Sequence, residues 1–367
     1  MPPDSLTHSR KSMSSKPTDV TLSISPESRV DLIDVTKRIT DENGDFFDEY
    51  KKSVYASHHT TAGYFEQSFA RRLRDDPKAL EAYVGSFKKL FPQNADYLHD
   101  QMDLRDELSD EQKLVEPKNA DSHLTYIGSG LENCVTYLNQ NRSPVYFIDL
   151  DGTNGAERRS RKTTIIGYND EVVVREELVR LQMSNHPIDS INLWDERVGV
   201  LQLLQERIKE LGIEKGRIDL SLSADERNTG LTVNEYETLL MRHDLPEVLK
   251  NPIRFMARRG VNMIKDPAAI KEKAKDYMKY DLVHVVNEFV DSMGLSESLF
   301  ERIVDKFIQV PASRFLRMKR KVSLIVSDDE SGGGKIVNGT YQSPILVQWR
   351  RNDERVRKVK VKFTRYE

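Results

Sequence analysis

Ser57 to Phe65 reads SHHTTAGYF, and the reading of the fold turns on this stretch. It continues the extended run KKSVYAS and then bends through Thr-Thr-Ala-Gly. Side chains alternate faces along a strand, so only one of His58 and His59 can face a given site, and the motif alone does not choose. Around it, short extended runs broken by turns fill residues 20–170. VTLSIS, LTYIGSG, SPVYFIDL and KTTIIGY read as strands, and RVDLIDVTKRI reads as a strand leading into a helix. RDDPKALEAYVGSFKKLF has a proline near its start and apolar residues at Leu80, Tyr83, Val84, Phe87 and Leu90, the spacing of an amphipathic helix. This half reads as an antiparallel α+β unit.

Residues 1–19 are rich in Ser, Pro and Lys and read as a disordered tail. Residues 171–189 read as a linker. Residues 190–367 read as a mixed, mainly helical domain ending in strands. LWDERVGVLQLLQERIKELG is helical and ends on Gly212. LTVNEYETLLMRH has Thr232 and Glu235 at the spacing of a capping box. Two more helices are expected from Asp266 to Met293 and from Ser298 to Val310. RIDLSLS, KVSLIV, SPILVQW and KVKVKF read as strands. No internal repeat shows in the residue pattern.

Composition excludes several classes. Charged residues make up 31 % of 367, yet the net charge is −3, unlike a chain built to coat nucleic acid. The single cysteine, Cys134, rules out an internal disulfide framework and fits a reducing cytoplasm. No apolar run of about 18 residues is present, so no membrane partner is expected.

Three separated segments carry His58 and His59, His99, and His123. Imidazoles ligate borderline metals, but this spacing is long and irregular. FIDLDGTNGAERRSRK places Asp149 and Asp151 two apart and follows them with Arg158, Arg159 and Arg161. Paired carboxylates suit Mg²⁺, and arginines suit phosphate. The plainer reading is a polar hairpin. SGGGKIVNGT misses the phosphate-loop spacing, because Ile336 follows Lys335. Lys358, Lys360 and Lys362 form a basic stripe on one strand face, with no interleaved aromatics, which makes nucleic acid an unfavoured partner.

In order, RVDLIDVTKRIT, HTTAG, LFPQNADYLHD, ADSHLTYIGSG and IDLDGTNGAERRSRK resemble the motifs of the YjbQ family, labelled secondary thiamine-phosphate synthase. The resemblance covers about residues 20–170. It implies an antiparallel β-sandwich with helices, a homotrimer, and a pocket shared between subunits. It implies His59, rather than His58, as a pocket residue together with His99 and His123, the set that would hold a divalent metal, Zn or Mg. It implies His59, Asp151, Arg158 and Arg161 as catalytic groups, and Thr60, Arg158 and Arg161 as substrate-binding ones. The family's Asn-Glu pair falls where this chain has Gln67-Ser68, and its Gly-Thr-Trp-Gln segment falls on NRSPVYF.

Two functional readings follow. The first is an enzyme, transferase or metal-dependent, acting on a small phosphorylated or anionic substrate. The alternative is a non-catalytic trimeric assembly protein whose basic stripe engages a protein or polyanion.

Overall fold

The computed structural model describes residues 16–186, 189–250, 318–328, 332–350 and 352–367. The helices expected between Asp266 and Val310 lie outside them, as do residues 1–15.

Nine strands form the first half: β1 (Thr18–Ile24), β2 (Asp31–Asp34), β3 (Lys52–Ser57), β4 (Ala62–Gly63), β5 (Cys134–Leu138), β6 (Tyr146–Asp149), the hairpin β7 (Thr153–Asn154) and β8 (Glu157–Arg158), and β9 (Arg161–Tyr168). They build an antiparallel sheet β1-β9-β3-β5 and a second sheet β2-β6-β4. The two sheets pack over Leu22, Ile33, Tyr55, Tyr64, Val135, Phe147 and Ile165. The far face of β2-β6-β4 is covered by helices Pro77–Leu90 and Ala120–Ser129.

The second helix corrects one expectation. LTYIGSG is helical, not a strand, and all ten residues from Ala120 to Ser129 are buried. A helix buried on every side leaves no polar stripe to betray its period. Gly130 ends it in the left-handed conformation, at φ 76°.

The second half departs from expectation at two more places. Residues 171–189, read as a linker, contain β10 (Glu171–Gln182), a twelve-residue strand paired along its length. Thr232, read as a helix cap, lies in β13 (Thr229–Asn234). The other strands are β11 (Asp189–Asn192), β12 (Gly216–Leu222), β14 (Lys321–Asp328), β15 (Gly334–Val337), β16 (Ser343–Gln348) and β17 (Val356–Tyr366). The described part of this half therefore holds more strand than helix, with helix Val200–Glu210 on its core.

These strands repeat the first half. The order β1-β9-β3-β5 recurs as β10-β17-β12-β14, with β15 added at the edge, and β2-β6-β4 recurs as β11-β16-β13. The repetition extends to single bonds. The bridge Tyr64–Glu132 returns as Leu231–Lys319. Leu150 N–Thr61 O returns as Trp349 N–Asn228 O, and Ser57 N–Asn133 O as Leu222 N–Arg320 O. Even the close approach of backbones is shared. A Cβ on Gly63 would lie 2.5 Å from the Glu132 carbonyl, and one on Gly230 would lie 3.3 Å from the Lys319 carbonyl. The chain is thus two copies of one α+β sandwich.

The copies are packed together. Ile345, Val347, Leu240, Met241 and Leu245 of the second share a core with the first copy's helices. Val54, Ala56, Cys134, Ile166 and Tyr168 pack on Ile325 and Tyr366. Tyr168 stacks on Tyr366 with ring centroids 3.8 Å apart.

Candidate functional site

Two polar clusters hang on the first turn of helix Ala120–Ser129. Asn119, Asp121 and His123 belong to that turn, and β6 delivers Asp149 and the following Asp151 beside it.

The first cluster is built of ions. Asp149 is bidentate with Arg161, at 2.6 Å to Nε and 3.0 Å to Nη2, and both side chains are buried. Such a fork satisfies both carboxylate oxygens. Burial raises the Asp149 carboxyl, and Arg161 opposes that rise. Asp151, also buried, accepts from Asn119 Nδ2 at 2.8 Å and pairs with Arg159 at 2.9 Å and Arg29 at 3.4 Å. Arg29 also holds Asp121 at 2.8 Å. Arg29 and Arg159 remain 20 % and 25 % exposed, so the guanidinium groups form the rim over buried acids. Lys88 stands nearby, its ammonium lowered by burial and raised by Asp121. Three arginines and a lysine against three aspartates leave a local excess of one positive charge.

The second cluster is built of imidazoles. The His99 and His123 rings lie 5.3 Å apart, and both are fully buried. His123 Nδ1 is 2.7 Å from Asn234 Oδ1. The Asn234 amide is oriented by its Nδ2, which donates to Thr60 O at 3.1 Å, so its oxygen faces the ring and accepts. His123 therefore carries its proton on Nδ1 and leaves an Nε2 lone pair with no hydrogen-bond partner. His99 Nε2 is likewise buried without a hydrogen-bond partner, while Arg105 approaches its Nδ1 at 3.5 Å. Burial holds both rings neutral: His99 is lowered to about 4, and His123 well below the usual range. Glu235 Oε2 lies 3.8 Å from His123 Nε2, and its side chain is 22 % exposed. Burial, then Glu116, pushes Glu235 up to about 7. Burial does the same to Asp100, which caps Ala120 N at 3.1 Å.

The second copy positions much of this site. Besides Asn234 and Glu235, Asp244 accepts from the Leu98 and His99 amides at 3.2 and 3.0 Å and so fixes the turn that carries His99. Gln342 Nε2 donates to Ser57 O and His59 O.

The sequence-derived residues divide accordingly. His99 and His123 come together. Asp151 and Arg161 belong to the ion cluster. Arg158 does not: it is exposed on β8, and Arg159 reaches Asp151 in its place. The turn after Gly155 sets that register. Thr60 takes part through its carbonyl. His59 stands apart from the other two rings. Its Nε2 accepts from Lys162 N at 2.7 Å, and its Nδ1 faces Arg161 at 3.4 Å. Burial, then Arg161, lowers it to about 3. His58 turns to the other strand face, where Nε2 meets Thr164 Oγ1 at 2.9 Å.

The three-histidine set does not fit a metal ion, because the His59 lone pair is already committed to a backbone amide. Among the described residues, no group of three or more His, Cys, Asp or Glu is arranged to hold one.

Asn234, Glu235 and Gln342 escaped the reading of the sequence. Their signal was present: at the positions equivalent to Gln67-Ser68 the second copy reads Asn-Glu, and Gly-Thr-Tyr-Gln stands at 339–342.

No family model matches the chain, and no curated protein matches it. Over about half its length the chain is similar in structure to YjbQ-like proteins. One is a YbjQ-like protein of unknown function from Sulfolobus solfataricus P2, at 13% identity and TM-score 0.28, covering 53% of this chain and 99% of that one. Another is an uncharacterized conserved YjbQ-family protein from Clostridium acetobutylicum, at 16% identity and TM-score 0.26, covering 51% and 98%. Among the described residues, no helix is long and apolar enough to cross a membrane.

Proposed function

We propose that this chain is an enzyme acting on a small anionic substrate, phosphorylated or carboxylated. Arg159, Arg29 and Lys88 receive the anion, and His123 with Glu235 exchanges a proton. The observation that carries this reading is the pair of buried Nε2 atoms without hydrogen-bond partners, beside a carboxyl poised near 7. Unsatisfied buried polar atoms destabilise a fold, and a carboxyl near neutrality suits general acid–base work. His123 accepts a proton at Nε2, and the protonated Glu235 can donate one.

The basic stripe gives the assembly reading little support. Lys358, Lys360 and Lys362 are paired with Asp225, Glu176 and Asp219 at 3.2, 2.5 and 3.2 Å.

Thermal shift with a panel of phosphate monoesters and carboxylates tests the enzyme reading. A ligand at 100 times its Kd adds about 2.7 kcal/mol to stability. One class should raise Tm in the wild type and not in Arg159→Ala. The same class should be turned over at least about 100-fold more slowly by His123→Ala, the scale of one general acid–base group. Equal turnover in His123→Ala refutes the proposed role.

A further inference from the structure

Among the described residues, the two copies do not carry equivalent corners at this position. In the first, Arg161 sits between an acid on β6 and a neutral group on the preceding loop. Nε binds Asp149, Nη1 faces His59, Nη2 donates to Asp151 O at 2.6 Å, and His59 accepts from Lys162 N at 2.7 Å. In the second, Arg357 makes the same four contacts with the charges exchanged. Nε donates to Gln348 at 3.2 Å, Nη1 to Glu226 at 2.8 Å and Nη2 to Arg350 O at 2.6 Å, while Glu226 accepts from Lys358 N at 2.7 Å. Glu226 therefore stands where His59 stands, Gln348 where Asp149 stands, and Arg350 where Asp151 stands.

This exchange keeps the buried guanidinium paired while the acid and the neutral group that flank it trade places. The carboxylate of Asp151, which anchors the arginine rim in the first copy, is replaced by an exposed arginine. The 360 Å³ cleft that remains beside Glu226 is lined by four acidic and four basic side chains and prefers neither sign. The second copy instead extends Asn234 and Glu235 across the junction. Asn234 is fully buried there, and its oxygen accepts from His123 Nδ1 and from Glu235 N at 2.9 Å.

We propose that the chain carries one ligand site per two copies, assembled across their junction, with Asn234 as the positioning residue that sets the His123 tautomer. The second copy's own corner has become a Glu226–Arg357–Gln348 structural clamp. This rests on the anion-site reading above for the identity of the ligand, and on geometry alone for the junction.

The test uses the full chain and two readouts. Titration calorimetry with inorganic phosphate should give one equivalent per chain. Arg159→Ala should weaken it at least tenfold, and Arg350→Ala less than twofold. Two equivalents, or equal weakening by Arg350→Ala, overturn the single site. The second readout needs no ligand. Nitrogen-15 NMR of the imidazoles should show His123 protonated on Nδ1, a state kept in Asn234→Asp and lost in Asn234→Ala. An Nε2-protonated His123 in the wild type, or an unchanged tautomer in a folded Asn234→Ala, overturns the cross-junction role. Absence of any phosphate binding, with the tautomer as expected, refutes the anion reading and the single ligand site while the positioning role of Asn234 stands.

Discussion

Glu235→Gln should stabilise this protein, and only at neutral and alkaline pH. The carboxyl is pushed from 4.5 to about 7 by burial and by Glu116, Glu237 and Glu107, with Arg105 opposing. Each tenfold change in proton affinity is worth about 1.4 kcal/mol, so ionising Glu235 in the folded chain costs up to about 3 kcal/mol. The sign follows from which state holds the proton. Below about pH 4.5 both folded and unfolded chains hold it, and the two proteins differ little. Between about 4.5 and 7 the unfolded chain releases its proton first, so wild-type stability falls as pH rises. Above about 7 the full penalty is present, and the amide removes it. Urea denaturation of both proteins at pH 8 and near pH 4.5 measures this. The expected gain is about 2–3 kcal/mol at pH 8 and near zero at the lower pH. No gain at pH 8, or an equal gain at both, refutes the argument that Glu235 is held ionised against its surroundings.

Asp149→Ala should destabilise by about 3–5 kcal/mol, since it strands the buried Arg161, while Asp149→Asn should cost less because it restores the amide acceptor that Gln348 offers Arg357; denaturant midpoints decide. Cys134 is buried and its thiol is pushed up to about 12, so an aromatic disulfide reagent should label it only after denaturation. Gly63→Ala should lower Tm, because its Cβ would meet the Glu132 carbonyl at 2.5 Å, a backbone atom that cannot swing aside. Single-stranded oligonucleotides should show no salt-dependent binding that a Lys358, Lys360 and Lys362 triple alanine variant abolishes, since those charges are already paired.

Much of the sandwich was legible along the chain. Alternation marked β1 and β17, extended runs marked β3 and β9, and the proline-started helix Pro77–Leu90 stood out by its period. LTYIGSG misled because a wholly buried helix and a buried strand share one hydrophobic pattern. Residues 171–182 misled because β10 is an edge strand with charged residues among its apolar ones, which resembles a solvated link.

The sequence by itself determined the α+β character, the strand alternation around SHHTTAGYF, and which histidines and aspartates were worth pursuing. Of the duplication it kept only two short traces, Asn234-Glu235 and Gly339 to Gln342. Equivalent positions keep their backbone bonds while their residues change, as His59 to Glu226 and Asp149 to Gln348 do. Backbone pairing leaves little trace in side-chain identity, and a charge exchange that conserves a buried ion pair erases the rest. Nor could it join His123 to Asn234, 111 residues away, or separate His59 from the other rings. Those choices belong to the packing of two copies on one helix, where burial decides which polar atoms are satisfied and which stay free to act.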